Sequence, residues 1–187
     1  AIRCSNVSCP AQLKGNIRHF ASRTAMDIEG LGSALIEQLV EASGIQDVGD
    51  LYSLTVDQIA GLERMGTKSA ENVVKAIERS RTQPLNRLLF SLGIRHIGVT
   101  VAQSLADAFL SIDALRETDE ETMLEVDEIG PIIVQSLRDH LANERNWGVI
   151  DKLKAAGVTT ESEARAQAAA DSPISGKTVV VTGTLER

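Results

Sequence analysis

The sequence contains few aromatic residues, few cysteines and no long apolar run, and each shortage narrows the class of protein. Its 187 residues include one Trp, one Tyr and three Phe, although 43% of the chain is hydrophobic. The core must therefore be built from Leu, Ile, Val and Ala, which favours helices. No stretch reaches the ~18 apolar residues that a membrane span needs, and no secretory signal is present. The chain begins at Ala1 and not at Met, so we expect a piece of a longer protein.

The net charge of −7 is distributed unevenly. Residues 1–100 carry 11 Lys or Arg against 10 Asp or Glu, whereas residues 101–187 carry 8 against 16. Within residues 64–95, seven basic residues accompany two acids, Glu71 and Glu78. A local basic surface attracts phosphate over about 8–10 Å even on an acidic chain. This segment is therefore either a phosphate-binding surface or an ordinary solvated helix face.

A five-residue pattern, apolar-x-x-apolar-Gly, occurs four times along the chain. Its final glycines are 34, 32 and 32 residues apart. Near-constant spacing of this kind indicates an internal repeat, which has to be recognised before any single glycine motif is interpreted. The four copies, named hairpins 1 to 4, are IEGLG at 28–32, LERMG at 62–66, IRHIG at 94–98 and VDEIG at 126–130.

Helical segments surround each copy. After hairpin 1, Leu35, Ile36, Leu39 and Val40 form the apolar stripe of an amphipathic helix, and the later copies repeat this spacing with two polar exceptions, Ser69 and Arg138. The sequence therefore predicts an all-α fold of four tandem helix–hairpin–helix units.

Capping residues indicate that a further helix precedes some of the turns. Thr55 and Gln58 fit a capping box ahead of hairpin 2, and Thr118 and Glu121 fit one ahead of hairpin 4.

A helix that begins at an exposed turn can bind phosphate. Its first backbone N–H groups lack internal partners and carry the positive end of the helix dipole, and glycine allows close approach of a phosphate oxygen. Such contacts recognise the sugar–phosphate backbone and not the bases. We therefore predict binding to the backbone of a nucleic-acid duplex by hairpins 1 to 3, through Gly30, Gly32, Arg64, Gly66, Lys68, Arg95, His96 and Gly98.

Hairpin 4 differs from the other three copies. Asp127 and Glu128 repel phosphate, and Pro131 removes one amide donor. We expect this copy to contribute mainly to packing.

Two cofactor motifs that also use glycines do not fit. A dinucleotide fingerprint needs a third Gly or Ala where this chain has Leu35, and no strand precedes hairpin 1. A phosphate-binding Walker loop ends in Gly-Lys-Ser/Thr, but at Gly176 the required first glycine is Asp171.

Other interpretations of the repeat remain open. The glycines can simply end one helix and start the next. The repeat can also be a protein-interaction module whose basic strip meets an acidic partner, or the DNA-binding part of a structure-specific nuclease or glycosylase. A nuclease or a glycosylase needs clustered catalytic carboxylates or a Lys/Asp pair. The acids of residues 117–128 instead indicate an exposed helix.

Two cysteines lie close together near the start of the chain. Cys4 and Cys9 are spaced as one half of a tetrahedral Cys₄ zinc site, or they are free thiols. His19 is a conceivable third ligand, but its distance from Cys9 favours a place on a helix face.

The other end of the chain changes character after the repeat. Residues 159–173 are Ala-rich and polar without an apolar stripe, which indicates a linker. The β-branched run from Thr178 to Thr182 then indicates the first strand of a further domain.

In this order the features resemble the C-terminal half of bacterial NAD-dependent DNA ligases. The most specific segments are RCSNVSCPAQ, HFASRTAMDIEGLG, GLERMGTKSAENVVKAI and SLGIRHIG. The resemblance covers essentially the whole chain. It implies the second half of a zinc finger at 1–22, a helix–hairpin–helix DNA-binding domain at 23–158, a linker at 159–173 and the start of a BRCT domain at 174–187.

The resemblance also implies functions for residues outside the hairpins. Cys4 and Cys9 correspond to zinc ligands of the family, so that this chain holds half of the site. Thr182 and Gly183 match the phosphate-facing turn of BRCT domains.

The whole enzyme of this family seals nicks in duplex DNA during replication and repair, using NAD and magnesium. Its adenylated lysine lies in Lys-x-Asp-Gly, a motif that these 187 residues lack. We therefore expect no catalytic or cofactor-binding residue in this chain, and no activity by the chain alone. The family further implies a cytoplasmic, nucleoid-associated bacterial monomer that binds nicked DNA and no membrane.

Overall fold

The computed structural model describes residues 10–162, which form helices and short turns without a β-strand. A 3₁₀ helix, Val48–Ser53, lies between the second and third α-helices. The α-helices are α1 Pro10–Phe20, α2 Ser33–Ala42, α3 Val56–Ala60, α4 Thr67–Ser80, α5 Leu85–Ser91, α6 Val99–Phe109, α7 Ile112–Glu117, α8 Glu120–Leu124, α9 Pro131–Ala142 and α10 Glu144–Ala155.

The helices pack in the order that the repeat predicts. In each of the last three units the helix before the hairpin packs against the helix after it: α3 against α4, α5 against α6 and α8 against α9. In the first unit α1 packs against α2. The prediction of an all-α, tandem helix–hairpin–helix fold is confirmed. None of the helices in the described part of the chain is long and apolar enough to cross a membrane.

Aliphatic side chains form the core, as the shortage of aromatic residues predicts. One continuous cluster of buried Leu, Ile, Val and Ala runs through the described residues. Its few aromatic members stay together, because the ring of Phe20 meets that of Tyr52 edge-on at a centroid distance of 6.3 Å. The Tyr52 hydroxyl is satisfied by a buried hydrogen bond of 2.8 Å to Ser80 Oγ, which removes the penalty for burying both groups.

Helix capping confirms one sequence expectation and overturns another. Thr55 caps α3 in a capping box with Gln58. The capping box expected at Thr118 and Glu121 is wrong, because Asp119 caps α8 by accepting the N–H of Thr122 at 2.8 Å. Thr118 instead ends α7.

The helical domain extends on both sides of the hairpins. In α1, Ile17 and Phe20 are fully buried in the common core, although the sequence places this helix within the zinc-finger half at 1–22. Beyond α10, the N–H of Thr159 donates to the Arg81 carbonyl at 2.8 Å. The domain boundaries drawn from the sequence stay predictions.

Several predicted features fall outside the described residues. These are the cysteine pair, most of the linker and the BRCT strand with its turn, that is Cys4, Cys9, residues 163–173, residues 174–187, Thr182 and Gly183.

Candidate nucleic-acid interface

The hairpin turns are anchored by the two apolar residues of each five-residue pattern. In hairpin 3, Ile94 and Ile97 are both buried, and the Ile97 N–H donates to the Ile94 carbonyl at 3.1 Å. The same hydrogen bond closes hairpins 2 and 4, at 3.2 Å and 3.1 Å. Burial of these two side chains fixes the turn and leaves its remaining residues at the surface.

One position of the turn has a left-handed backbone in all four copies. It lies two residues before the final glycine and is occupied by Gly30, Arg64, His96 and Glu128, with φ of 86°, 62°, 66° and 69°. A residue with a side chain pays about 1–2 kcal/mol for this conformation. Four different residue types therefore adopt the same strained turn, which shows that the fold imposes it.

The final glycine of each hairpin begins the following helix. The carbonyls of Gly32, Gly66, Gly98 and Gly130 accept the first α-helical hydrogen bonds, at 2.9–3.1 Å. None of the four glycines provides a side-chain hydrogen bond to the helix.

Most other helices of the described region have a side-chain cap, although α5, which begins after Pro84, has none. A side-chain oxygen accepts a helix-start N–H of the 3₁₀ helix, α3, α7, α8 and α10, from Asp47, Thr55, Ser111, Asp119 and Asn143 respectively. The helices that follow the hairpins thus keep their first N–H groups available for a ligand.

The fold does not itself require glycine at the four helix starts. A Cβ placed on Gly32, Gly66, Gly98 or Gly130 meets no atom within 4 Å, and the backbone there has negative φ. Gly30 is different, because its φ is positive and a Cβ would lie 3.0 Å from Cγ2 of Val73. A glycine at these starts leaves the backbone open to the close approach of another group.

Basic side chains surround hairpins 2 and 3. Arg64 and Lys68 are 91% and 78% exposed, and their contacts with neighbouring acids are 3.7 Å and 3.4 Å long. Exposed ion pairs of this kind contribute little, so both charges can turn to a ligand. Arg95 and His96 are also exposed at hairpin 3.

Not every basic residue of the strip at 64–95 is available. Arg81 makes two 2.7 Å hydrogen bonds to the Glu78 carboxylate, which raise the pKa of Arg81 and lower that of Glu78. Arg87 donates to the Gln83 side chain and to the Arg23 carbonyl. The sequence counted these two arginines with the others, and the structure assigns them to packing.

Hairpins 1 and 2 are joined directly, which the sequence did not reveal. Gln38 on α2 donates to the Glu63 carbonyl at 3.1 Å and accepts the Glu63 N–H at 2.7 Å. In the other direction, hairpin 1 lies against Val73 of α4. The two hairpins therefore form a pair. The sequence alone could not reveal this role of Gln38, because it depends on a contact with a distant residue.

Hairpin 4 has the same backbone but fewer free donors. Pro131 has no N–H, and the Ile133 N–H already donates to the Gly130 carbonyl at 2.9 Å. The turn also exposes two carboxylates, those of Asp127 and Glu128. These features agree with the weaker phosphate-binding role expected for this copy.

His19 lies on a helix face, as its sequence position suggested. Its Nε2 lies 2.8 Å from the Phe90 carbonyl, and its ring meets the Phe90 ring at a centroid distance of 4.8 Å. One of the two ring nitrogens of His19 is thus engaged in a structural contact. Within residues 10–162 no group of three or more His, Cys, Asp and Glu side chains is arranged to hold a metal ion.

A cleft of about 680 Å³ lies between α1, α2, α9 and α10 and reaches residues 91–93, which directly precede hairpin 3. His140 lines it, and burial lowers the pKa of this imidazole to about 4. The Asn146 side-chain amide lies 3.3 Å from His140 Nδ1 and donates to the His140 carbonyl at 3.2 Å. This arrangement suits a neutral histidine that accepts at Nδ1.

The repeated turn, the left-handed residue and the uncapped glycine together define a helix–hairpin–helix protein. Residues 22–79 match the family model described as a SAM-like helix-hairpin-helix tandem, and residues 87–150 match the model described as a helix-hairpin-helix motif. Each match contains two hairpins, and the two matches together contain all four copies found in the sequence.

Whole-chain similarity identifies the family more closely. The chain is 49% identical over 179 residues to a DNA ligase of Chlorobaculum tepidum, covering 96% of the chain and 26% of that relative. It is 48% identical to the DNA ligases of Desulforudis audaxviator and Latilactobacillus sakei, covering 99% and 100% of the chain and 27% and 28% of those proteins. The chain is thus similar along nearly its whole length to one part of these DNA ligases, and it spans about a quarter of the length of these relatives.

Proposed function

We propose that this chain holds duplex DNA by its sugar–phosphate backbone, without sequence preference, as the DNA-gripping portion of a DNA ligase. The observation that carries this proposal is that the helices after hairpins 1, 2 and 3 each begin at an exposed glycine without a side-chain cap. The space in front of each glycine is open, so that the fold itself would accept a Cβ there. Backbone N–H groups and a helix dipole then meet the phosphate directly.

In this proposal the hairpins contribute unequally. Hairpins 1, 2 and 3 bind phosphates through their free helix-start N–H groups. Arg64 and Lys68 add charge at hairpin 2, Arg95 adds charge at hairpin 3, and the His96 ring adds a hydrogen-bonding group there. Each phosphate that is neutralised adds about −0.9 to the slope of log K against log salt.

The activity of the longer protein is a further part of the proposal. We propose that such a ligase seals nicks during replication and repair with NAD and Mg²⁺, as a cytoplasmic, nucleoid-associated monomer. Cys4 and Cys9 would supply two of the four thiolates of a zinc site. The chain contributes the grip on nicked duplex and no nucleotidyl transfer, because it carries no Lys-x-Asp-Gly.

Replacing the hairpin glycines by serine tests the phosphate grip. In the triple variant Gly32→Ser, Gly66→Ser, Gly98→Ser, each new hydroxyl caps its own helix and competes with phosphate for the same N–H groups. We expect unchanged or slightly higher thermal stability, together with a loss of duplex affinity of about a hundredfold. Fluorescence anisotropy with a labelled nicked duplex at several salt concentrations measures the affinity, and circular dichroism measures the melting temperature.

Gly130→Ser is the matched control, because hairpin 4 has the same geometry and few free donors. We expect it to change affinity less than twofold. Binding by the triple variant as tight as that of the unchanged chain would refute the phosphate grip. Binding that is insensitive to salt would instead favour a protein-interaction module, whose partner should survive competition with a polyanion.

A further inference from the structure

Hairpins 1 and 2 are held to each other from both sides. Gln38 lies in α2, six residues after Gly32, and its side-chain amide makes two hydrogen bonds to the backbone of Glu63 in hairpin 2, at 2.7 Å and 3.1 Å. In the other direction, hairpin 1 lies so close to α4 that a Cβ on Gly30 would be 3.0 Å from Cγ2 of Val73. Each hairpin therefore contacts the helix that follows the other hairpin.

The amide of Gln38 is suited to fix the position of hairpin 2. Its Oε1 accepts the Glu63 N–H and its Nε2 donates to the Glu63 carbonyl, so one side chain holds both backbone groups of one residue. The next residue, Arg64, has the left-handed backbone, and Gly66 begins α4. The two hydrogen bonds thus hold hairpin 2 three residues before the helix start that is proposed to bind phosphate.

Stability of the fold does not account for this contact. Glu63 is exposed, so water would satisfy its N–H and its carbonyl if the Gln38 side chain were absent. For the same reason the two hydrogen bonds add little to the free energy of unfolding. Their main effect is to fix the separation between the starts of α2 and α4.

The second hairpin pair has a different residue at the equivalent place. Six residues after Gly98, α6 carries Ser104, whose hydroxyl donates to the Thr100 carbonyl of its own helix at 3.3 Å. A serine has one short hydroxyl and cannot supply a separate donor and acceptor at the reach of a glutamine. The two-bond contact therefore belongs to the pair in which both hairpins are expected to bind phosphate.

We propose that Gln38 is a positioning residue, which holds the phosphate-binding starts of α2 and α4 at one separation and thereby favours duplex DNA over single strands. The inference rests on the proposed function, because it concerns two of the same helix starts. Once one phosphate is bound, a second site at a fixed distance binds another phosphate in an intramolecular step. A duplex presents its phosphates at defined distances, whereas a flexible single strand adjusts to sites at many separations. Loosening the pair therefore costs affinity for the duplex and little affinity for a single strand.

The variant Gln38→Met tests this assignment in the full chain, because methionine has a similar length and no amide. We expect the affinity for a fluorescein-labelled nicked duplex to fall about tenfold, and the affinity for one labelled strand alone to stay within about twofold. The melting temperature should not change. Gln135→Met is the matched control, since Gln135 lies on α9 and donates to Asp139 of its own helix at 2.7 Å. It should leave both affinities unchanged.

A double variant shows whether Gln38 acts through hairpin 2. In Gly66→Ser the new hydroxyl already competes for the N–H groups at the start of α4. Adding Gln38→Met to Gly66→Ser should therefore lower the duplex affinity little further. A full additional loss would show that Gln38 acts independently of this helix start, which would overturn the inference.

The outcomes separate this inference from the proposed function. If the unchanged chain binds no duplex DNA, the proposed function fails. If the unchanged chain binds duplex with a salt-dependent affinity that Gln38→Met retains, Gln38 is not a positioning residue. An equal affinity of the unchanged chain for duplex and single strand, an equal loss for both DNAs in Gln38→Met, or an equal loss in Gln135→Met also overturns the inference.

Discussion

Hairpins 2 and 4 have the same backbone and opposite charge. The left-handed residue is Arg64 in one and Glu128 in the other, and their φ angles differ by only a few degrees, at 62° and 69°. Both turns close with the same hydrogen bond, and both are followed by a helix that begins at an uncapped glycine. The residues between 64 and 95 are strongly basic, whereas those between 117 and 128 include seven acids and no basic residue.

This difference shows that one set of residues determines the shape of the turn and another set determines its charge. The apolar residues of the pattern fix the turn, because in every copy they lie in the core or pack against it. The exposed residues between them are free to vary, because they contact little of the protein. A helix–hairpin–helix turn is therefore a scaffold, and its surface residues decide which ligand it accepts.

We expect the largest change in duplex affinity when the negative charge of hairpin 4 is placed on hairpin 2. We expect Arg64→Glu with Lys68→Gln to lower duplex affinity about a hundredfold at low salt, and to reduce the salt slope by about 1.8 if both residues contact phosphate. Stability should not change, since a Glu already occupies the same left-handed position at residue 128. Anisotropy titrations measure the affinity and the slope.

The converse variant, Glu128→Arg, is the control for this exchange. It should raise affinity and leave the melting temperature unchanged. An unchanged salt slope in both variants would show that neither position lies near phosphate.

Acid pH should destabilise α9, the helix after hairpin 4, before it destabilises α4, the helix after hairpin 2. Burial lowers the pKa of His140 in α9 to about 4, below an unfolded value of about 6.5. The folded state therefore resists protonation, and its stability is complete above pH ~6.5 and falls as the pH drops toward ~4, by about 2 kcal/mol. Urea unfolding at a series of pH values measures this loss.

The variant His140→Gln should flatten the stability profile across that range. Carboxylates with lowered pKa values, such as Asp50 and Asp119, act at lower pH and do not mask the effect. Hydrogen exchange should show that α9 loses protection before α4 does. A profile that is as steep in the variant would assign the transition to other groups.

Substitutions at the left-handed position should have the smallest effects, and these are changes in the stability of the fold. Gly30→Ala should destabilise the fold by about 1–2 kcal/mol, because φ is 86° and the new Cβ would lie 3.0 Å from the Val73 side chain. Glu128→Gly should stabilise the fold by about 0.5 kcal/mol, the relief of strain less the entropy of glycine. Chemical denaturation measures both, and changes of the same sign would contradict a shared turn conformation.

Much of the architecture could be predicted from the sequence, for a definite physical reason. The buried positions repeat with nearly constant spacing, so the number of hairpins, the helix starts at Gly32 or Gly98 and the helical class all follow from periodicity. The cap of α8 could not be chosen correctly, because Thr118 and Asp119 are adjacent and both are good caps.

The site was harder to predict than the fold. The sequence indicated which glycines and cations belong to the hairpins, and whether they bind DNA stays a prediction. It did not reveal that Arg81 and Arg87 are used in packing, nor that Gln38 joins hairpins 1 and 2, because those facts depend on contacts between distant residues.

The hydrogen bonds beyond α10 have a mechanical consequence. The Thr159 N–H is held by the Arg81 carbonyl, just after α4, and the Ser162 N–H is held by the Leu110 carbonyl, just after α6. A pulling force applied at residue 162 therefore meets these two hydrogen bonds, at the ends of α4 and α6 that lie farthest from the hairpins along each helix, before it meets any hairpin turn.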